Sequence, residues 1–522
     1  MDKFINPHVK YYNLVQRYSP SGDNLRQSSK KRKANYPAEL LAKNSPQSSK
    51  KNEGHILKMK KKIFINSIIK TIAFIILIFF GLSAIYTCKS PNKSFRLLPG
   101  QKFPNIILII NDALRGDCLG FNGSQDVLTP NLNQFAARCI NFKNAISQSG
   151  WTEPSITSIL TGLYPIRHRV FNRHRINKLK PTVITLQEVL RSLGYYTTAF
   201  VSIGDMEVIL RGFLQRSWSE DHKGIQTINR VIQLLEKNNN FPYFIMIHIL
   251  DPHSPYQPSI SPEYPDEIIK NLSRAELQKM TKEDTSRDPL FSEVNFFNYK
   301  REIEELDVQY GRLFNYLYNC PDHIFDKKKD IIIFTADHGE EFPHENGYYH
   351  HGRSPYIETM RVPLLFYLPG RAPLKIHRYV ENASIFPTLL ELLGIEQIYL
   401  KALDLSTTSL LKFISTPETK DDKSYVLYEA IYLDDDLHKK LPDAVDVHES
   451  KSIIRSDGYK LIYDTTIKES KLFDLNSDPQ EKYDLLKLKD GRFQKIAKEL
   501  FKQLKLKTNL LYDYRQLSEF RQ

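Results

Sequence analysis

Beyond residue 103 the chain alternates short apolar runs with segments whose apolar residues recur every three or four positions. The apolar runs predict strands at residues 105–111, 195–202, 243–250, 331–335 and 363–368. Strands that are buried on both faces read as continuous apolar runs, and they are typical of parallel sheets. The pattern therefore predicts an α/β fold with a mostly parallel sheet and helices on both faces.

Helical spacing is found between these runs. Leu132, Phe135, Ala136, Cys139 and Ile140 fall on one helical face. Further helices are predicted at residues 186–193 before Gly194, at 225–235, at 296–318, and at 385–393 before Gly394. The alternation of strand and helix extends over residues 104–400, which we interpret as one catalytic domain.

Two segments depart from this rhythm. Residues 257–295 are rich in Pro, Asp, Glu and Lys, and we interpret them as an insertion on the substrate side of the domain. After residue 400 the pattern predicts short strands of a hairpin at 451–463 and 471–475, and a closing helix at 492–504. Residues 401–522 are therefore expected to form a small C-terminal α+β subdomain.

The N-terminal region has a different character. Residues 1–62 are polar and basic, which predicts a disordered tail, and residues 1–70 carry +12 of the net charge of +13. Residues 63–88 are mostly apolar and carry no charge apart from Lys70. They are long enough for a transmembrane signal anchor, with 89–103 as a linker. The positive-inside rule predicts a single-pass membrane protein with a cytoplasmic N-terminus and an extracytoplasmic (periplasmic or extracellular) catalytic domain. The nearly neutral remainder argues against a nucleic-acid partner.

Chemically active residues follow several predicted strands. Asp112 follows the first strand, His253 follows the strand at 243–250, and Asp337 and His338 follow the strand at 331–335. Loops at the carboxyl ends of parallel strands share one crevice. Two carboxylates and one imidazole are a plausible set of ligands for a divalent cation, whereas any one of them alone is an ordinary turn or cap residue.

Thr152 begins the sequence Thr-Glu-Pro-Ser ahead of a helical stretch. The simple interpretation is a helix N-cap. The functional interpretation is a nucleophile that a metal ion activates, since a helix N-terminus attracts anions. His253 and His351 lie in loops at the expected crevice, where they could bind an anion or protonate a leaving group.

Taken together, these segments resemble the sulfatase family of the alkaline phosphatase superfamily. The resemblance spans about residues 104–486 and rests on motifs in a fixed order. They are 105–115, 129–132, 152–155, 161–168, 251–256, 302–313, 335–340, 351–352, 361–364, 385–390 and 472–481. The resemblance implies an alkaline-phosphatase-like fold and a metal-dependent ester hydrolase. By position it implies Asp112, Thr152, Asp337 and His338 at the metal, Thr152 as nucleophile, and His253 and His351 at the substrate anion.

The departures from the family pattern concern the substrate. Sulfatases carry the motif Cys/Ser-x-Pro-x-Arg at the nucleophile, and its Cys or Ser becomes formylglycine. This chain has Thr152 at the first position of the motif and Ile156 at the last. Ala113 and His338 replace an Asp and an Asn of the family's metal site, and a Lys-Trp-His segment is absent. These changes favour the phosphoryl-transferring branches that resemble phosphodiester and phosphonate hydrolases, or phosphoethanolamine and phosphoglycerol transferases.

The sequence thus predicts a membrane-anchored hydrolase or transferase that cleaves a phosphoester through a covalent threonine intermediate. One divalent ion (Mn, Zn, Ca or Mg) is the expected cofactor, and an anionic ester, such as an envelope lipid or glycan, is the expected substrate. One alternative is a sulfatase that works without formylglycine. Another is a non-catalytic binding protein that retains the fold.

Overall fold

A central strand, β1 (Ile106–Asn111), organises a nine-stranded sheet. All six residues of β1 are buried, and parallel strands flank it on both sides. The other strands are β2 (Ile140–Ile146), β3 (Tyr196–Val201), β4 (Gln215–Trp218), β5 (Tyr243–Ile249), β6 (Ile331–Ala336), β7 (Arg361–Val362), β8 (Leu364–Tyr367) and β9 (Leu374–Glu381). Their order is β4-β3-β5-β1-β6-β8-β2-β7, and β9 pairs with β2. The strands from β4 to β6 are parallel, and β8 is antiparallel to both of its neighbours.

Helices cover this sheet. They are α1 (Pro130–Ala136), α2 (Thr152–Thr161), α3 (Pro165–His168), α4 (Leu186–Ser192), α5 (Glu207–Leu210), α6 (Gly224–Leu235), α7 (Pro289–Asn319), α8 (Pro343–Asn346), α9 (Ile357–Met360), α10 (Ile385–Leu392), α11 (Gln397–Ala402) and α12 (Leu411–Ser415). Helix α7 packs on α1 and α6, while α2 packs on α3, α4 and α10. Because β1, β5 and β6 are buried along their whole length, both faces of the sheet are covered.

A second sheet follows in the sequence. Strands β10 (Tyr425–Leu433), β11 (Val447–Arg455), β12 (Tyr459–Asp464) and β13 (Glu469–Asp474) are antiparallel in that order. Helix α13 (Gly491–Thr508) packs on β11 and β12 through Leu500 and Leu504. The predicted α/β class, with a small α+β part after it, is confirmed.

Two local predictions were wrong. Ile140 was assigned to a helical face, but α1 ends at Ala136 and Ile140 begins β2. Ile140 is buried because it belongs to the sheet. Its helical spacing from the apolar residues of α1, across the short turn between them, is a coincidence. Residues 451–463 were assigned to one strand, but they form β11 and β12 around a turn at Gly458, whose φ is +93°. A left-handed φ is readily adopted by glycine, and the pair Asp457-Gly458 is a hairpin signal.

This computed structural model describes residues 103–171, 179–202, 206–218, 224–237, 242–259, 289–395, 397–416, 424–433 and 447–508. They all belong to one compact unit of the chain, Phe64–Gln522. The predicted tail, signal anchor at 63–88 and most of the insertion at 257–295 lie outside the described residues, but α7 already begins at Pro289. Within the described ranges, no helix combines the length and the apolar character needed to cross a bilayer.

Candidate active site

The site lies where the parallel strands β1 and β6 end. Asn111 pairs with Ala336, so Asp112 and Asp337 are the first residues beyond the two strands. Their backbones continue the ladder, since Asp112 N donates to Ile249 O at 2.8 Å and Asp337 N donates to Asn111 O at 3.0 Å. The sheet therefore fixes the two carboxylates side by side.

Thr152 lies opposite these carboxylates at the start of α2. Trp151, which has an extended backbone, is the N-cap, and no side chain caps this helix end. The simple interpretation of Thr152 as the N-cap was therefore wrong. Its Oγ1 lies 3.4 Å from Asp112 Oδ2 and 3.4 Å from His338 Nε2. The hydroxyl thus faces the carboxylates instead of its own helix.

Two serines hold α2 against the loop that carries Asp337. Ser147 Oγ and Ser155 Oγ both donate to the main-chain carbonyl of Asp337, and the two hydroxyl oxygens lie 2.8 Å apart. Ser155 belongs to the Thr-Glu-Pro-Ser motif, so the motif carries both the candidate nucleophile and its anchor. Sequence reasoning did not assign this anchoring role.

Both carboxylates are fully buried and incompletely satisfied. Asp337 Oδ1 accepts from Ala113 N at 3.1 Å and from His338 N at 2.7 Å. Among the described residues, Asp112 Oδ1 and Asp337 Oδ2 have no hydrogen-bond partner. Burial raises the pKa of each carboxyl to about 7, and repulsion by Asp337 adds to the rise at Asp112. Two buried carboxylates with free oxygens are typical of a cation site.

His338 is oriented as a ligand. Its Nδ1–H donates to Gly339 O at 2.9 Å, which leaves the Nε2 lone pair for the site. Nε2 lies 3.5 Å from Asp112 Oδ1 and 3.5 Å from Asp337 Oδ2. Burial lowers the pKa of His338, which favours the neutral imidazole that coordinates metals.

A further histidine, His248, also reaches the site, and sequence reasoning missed it. It lies within β5, and its Nε2 is 3.6 Å from Asp112 Oδ2. Donor atoms of Asp112, His248 and Asp337 all lie within 4.8 Å of one another. The one available signal was a histidine inside the otherwise apolar run 243–249. The donor set of carboxylates and neutral imidazoles fits a divalent cation.

His253 and His351 lie beside this cluster. The ring centroid of His351 is 4.3 Å from that of His338 and 5.0 Å from that of His253. Nδ1–H of His351 donates to Glu340 Oε1 at 3.0 Å, and Nδ1–H of His253 donates to Ser254 O at 2.6 Å. These bonds orient each ring through its Nδ1. Burial by itself lowers the pKa of His253, but the charges of Asp112 and Glu340 outweigh it and raise that pKa.

The neighbouring arginines are held by carboxylates. Arg115 pairs with Asp117 at 2.8 Å and with Glu345 at 2.6 Å, and Arg361 lies 3.9 Å from Asp117. We therefore interpret both arginines as structural. The structure thus brings Asp112, Thr152, Asp337 and His338 into one cluster and places His253 and His351 at its edge.

Comparisons with known proteins identify the family of this chain. The family described as Sulfatase matches residues 104–395, and the one described as N-sulphoglucosamine sulphohydrolase, C-terminal, matches residues 344–509. Arylsulfatase K of Rattus norvegicus is 24% identical over 456 residues, covering 75% of this chain and 76% of that protein. An arylsulfatase of Clostridium perfringens is 22% identical over 473 residues, covering 77% and 94%.

Solved structures share the fold. Phosphonate monoester hydrolase of Agrobacterium radiobacter superposes with a TM-score of 0.60 at 19% identity, covering 79% of this chain and 96% of that one. A protein solved in complex with its substrate D-glucosamine-2-N,6-O-disulfate superposes with a TM-score of 0.62 at 21% identity, covering 78% and 98%.

Proposed function

This chain belongs to the sulfatase family, and from that premise we propose that it cleaves an anionic phosphoester through Thr152. Family membership makes it an ester-hydrolysing enzyme of the alkaline phosphatase-like superfamily. The observation that carries the proposal is the position of the Thr152 hydroxyl, 3.4 Å from both Asp112 and His338. Threonine cannot become formylglycine, so its own oxygen is the nucleophile in this proposal.

In the proposed first step, Thr152 Oγ1 loses its proton and attacks phosphorus. The bond between phosphorus and the ester oxygen breaks, and that oxygen takes up a proton and leaves as an alcohol. A divalent cation at Asp112, Asp337 and His338 would supply positive charge that lowers the pKa of the hydroxyl and offsets charge on the phosphoryl oxygens. His253 lies beside this group, with its ring centroid 5.0 Å from that of His351, so its imidazole can carry the proton from Thr152 to the leaving alcohol.

The second step releases the enzyme. Water attacks the phosphorus of phosphothreonine, the bond between phosphorus and Oγ1 breaks, and Thr152 regains its proton. An acceptor hydroxyl in place of water would make the same site a transferase. His351, which Glu340 orients through Nδ1, is the second histidine that would contact the substrate anion.

A sulfate ester is the second candidate substrate. It is favoured by the similarity to arylsulfatases, which extends over about three quarters of this chain. Such an enzyme would pass through a sulfothreonine and would need no formylglycine. The apolar segment at 63–88 supports the further proposal that the enzyme acts outside the cytoplasm on a membrane or envelope ester.

The test compares Thr152→Val with Thr152→Ser in the full chain. Valine keeps the shape of threonine and removes only the hydroxyl, whereas serine retains it. An aryl phosphodiester, an aryl phosphonate monoester and an aryl sulfate are each assayed with Mn²⁺, Zn²⁺, Ca²⁺ or Mg²⁺. We expect turnover of a phosphorus ester to fall at least ~10³-fold in Thr152→Val and to persist in Thr152→Ser.

Three outcomes contradict parts of the proposal. Turnover of the sulfate alone would replace phosphorus by sulfur as the reaction centre. Undiminished turnover in Thr152→Val would exclude Thr152 as the nucleophile. Mass spectrometry of the quenched enzyme provides a separate check, because trapping of the substrate group on any residue other than Thr152 would refute the covalent step.

A further inference from the structure

His248 occupies an unusual position for a histidine, inside a central strand. It pairs with Ile110 of β1, which lies two residues before Asp112. Its carbonyl accepts a hydrogen bond from Ser202 Oγ at 3.0 Å, which ties it to the segment after β3. The strand backbone therefore fixes the imidazole under the site.

The imidazole of His248 is fully buried and unsatisfied. Among the described residues, neither Nδ1 nor Nε2 has a hydrogen-bond partner. A buried polar group without a partner destabilises a fold by about 1–3 kcal/mol. Nε2 instead points at Asp112 Oδ2, 3.6 Å away. This arrangement is unfavourable in the protein alone and becomes favourable when an electron-pair acceptor lies between the two groups.

The other donors around this position are unsatisfied in the same way. Asp112 Oδ1 and Asp337 Oδ2 have free lone pairs, and with His248 they lie within 4.8 Å of one another. Ala113 follows Asp112, and its backbone N–H donates to Asp337 Oδ1. Its side chain has no donor atom, so the chain offers an imidazole from β5 and no third carboxylate from this loop.

We propose that His248 is a direct ligand of the divalent ion, together with Asp112, Asp337 and His338, and that two imidazoles make the site selective for transition metals. Carboxylates alone suit Ca²⁺, Mg²⁺ and Mn²⁺, whereas imidazole nitrogen suits Zn²⁺ and its neighbours in the first transition row. This inference deepens the proposed function, since it rests on a cation at the same site, and it names the metal class.

The test uses metal-stripped full-length protein and two independent measurements. X-ray absorption of the Zn²⁺-loaded protein counts coordinated imidazoles, and chelator competition gives the affinities for Zn²⁺, Ca²⁺ and Mg²⁺. We expect two imidazoles in the wild type and one in His248→Leu, with the Zn²⁺ affinity of the variant reduced more than ~100-fold. Affinity for Zn²⁺ should exceed that for Ca²⁺ by at least roughly 100-fold in the wild type.

His168→Gln is the matched control. His168 is equally buried, lies on α3 outside the cluster, and has hydrogen-bond partners for both nitrogens. Its replacement should leave the imidazole count at two and the Zn²⁺ affinity within about 3-fold of the wild type.

Each other outcome refutes the proposal in a distinct way. One imidazole in the wild type would exclude His248 as a ligand, and this result requires no variant to fold. A weakened affinity with an unchanged imidazole count in His248→Leu would make His248 an orienting neighbour of Asp112. Tighter binding of Ca²⁺ than of Zn²⁺ would remove the selectivity. Thr152-dependent turnover that persists in any of these cases would leave the proposed function intact.

Discussion

Gly352 sets the position of Trp151, the residue next to the candidate nucleophile. Its φ is +79°, and a Cβ built there would overlap the Trp151 indole. The indole also packs edge-on against His351, with ring centroids 5.3 Å apart. A single missing methyl group thus allows the loop that carries His351 to lie against the loop that carries Thr152.

Gly352→Ala is expected to displace Trp151 and to reduce turnover, because the indole must move away from the new Cβ. Trp218, the other tryptophan of the chain, is 54% exposed. In a Trp218→Phe background, fluorescence therefore reports Trp151 alone, and a shift of its emission maximum should accompany the loss of activity.

Gly347→Ala separates the overlap from backbone strain. Gly347 has a similar φ of +84°, but nothing lies within 4 Å of a Cβ built there. Both variants carry the strain of a left-handed alanine, about 1–2 kcal/mol. Only Gly352→Ala should alter the emission of Trp151, and equal spectra for the two variants would contradict the packing argument.

At the scale of elements, α2 and α3 are joined by a chain of hydrogen bonds behind the nucleophile. Val170 N donates to His168 Nδ1 at 3.1 Å, so the proton of the neutral ring is on Nε2. Nε2–H then donates to Ser158 Oγ at 2.9 Å, and Ser158 Oγ donates to Pro154 O at 3.0 Å. Pro154 lies in the first turn of α2, so α3 supports the helix end that carries Thr152.

The buried His168 in this chain of hydrogen bonds predicts that the folded protein loses stability in acid. Burial lowers the pKa of His168 from 6.5 to about 3, so between these values the unfolded chain binds a proton that the folded chain does not. Stability therefore falls as the pH falls through this window, by up to about 1.4 kcal/mol per pH unit from this residue. In His168→Gln, the free energy of unfolding measured by urea titration should depend less steeply on pH between 6 and 4.

His377→Gln provides the comparison for that slope. His377 is exposed on β9 and takes no part in this chain of hydrogen bonds. Its removal should leave the pH dependence as in the wild type. An unchanged slope in His168→Gln would show that protonation of His168 is not linked to unfolding.

Part of the candidate site could be predicted from the sequence. Asp112, Asp337 and His338 were predictable because they follow continuous apolar strands, whose carboxyl ends converge in a parallel sheet. His248 was not found because it lies within a strand, where register and side-chain direction decide what it contacts. Strand β2 was missed because its first residue, Ile140, extends the spacing of α1. Only the three-dimensional structure separates these two origins of burial.

At the scale of the whole molecule, the second sheet packs against the segments that carry the site. Tyr428 of β10 lies within 3.1 Å of Thr359 Oγ1 in α9, and its hydroxyl donates to Ser354 O at 3.1 Å. A Cβ at Gly150, two residues before Thr152, would overlap the same hydroxyl. Apolar contacts join Ile146 and Met360 of the first sheet and its helices to this second sheet. The C-terminal part therefore helps to hold the loop that carries Thr152 in place.

A buried ion pair connects the two parts. Lys460 Nζ of β12 lies 2.7 Å from Glu481 Oε1, and both side chains are fully buried. Glu481 Oε2 also accepts from Ile357 N at 2.6 Å, at the start of α9. Burial lowers the pKa of Lys460 and raises that of Glu481, so each charge depends on the other for compensation.

Lys460→Met should therefore reduce the free energy of unfolding by about 3–5 kcal/mol, because it leaves the Glu481 carboxylate buried without a counter-charge. The double variant Lys460→Met/Glu481→Gln removes both charges and keeps an acceptor for Ile357 N. It should recover most of that loss, which chemical denaturation monitored by tryptophan fluorescence and far-UV circular dichroism can measure.

A more exposed pair shows why burial decides the size of this effect. Lys507 lies 3.3 Å from Glu381, but its side chain is 25% exposed. Because water screens this pair, Lys507→Met should reduce the free energy of unfolding by only about 1 kcal/mol. If Lys460→Met had an equally small effect, the charge of Glu481 would have to be neutralised by another route.

The same measurements show whether the two sheets unfold together. Coinciding fluorescence and dichroism transitions in the wild type and the three variants would show that they do. Separate transitions after Lys460→Met alone would identify the ion pair as the link between the sheets.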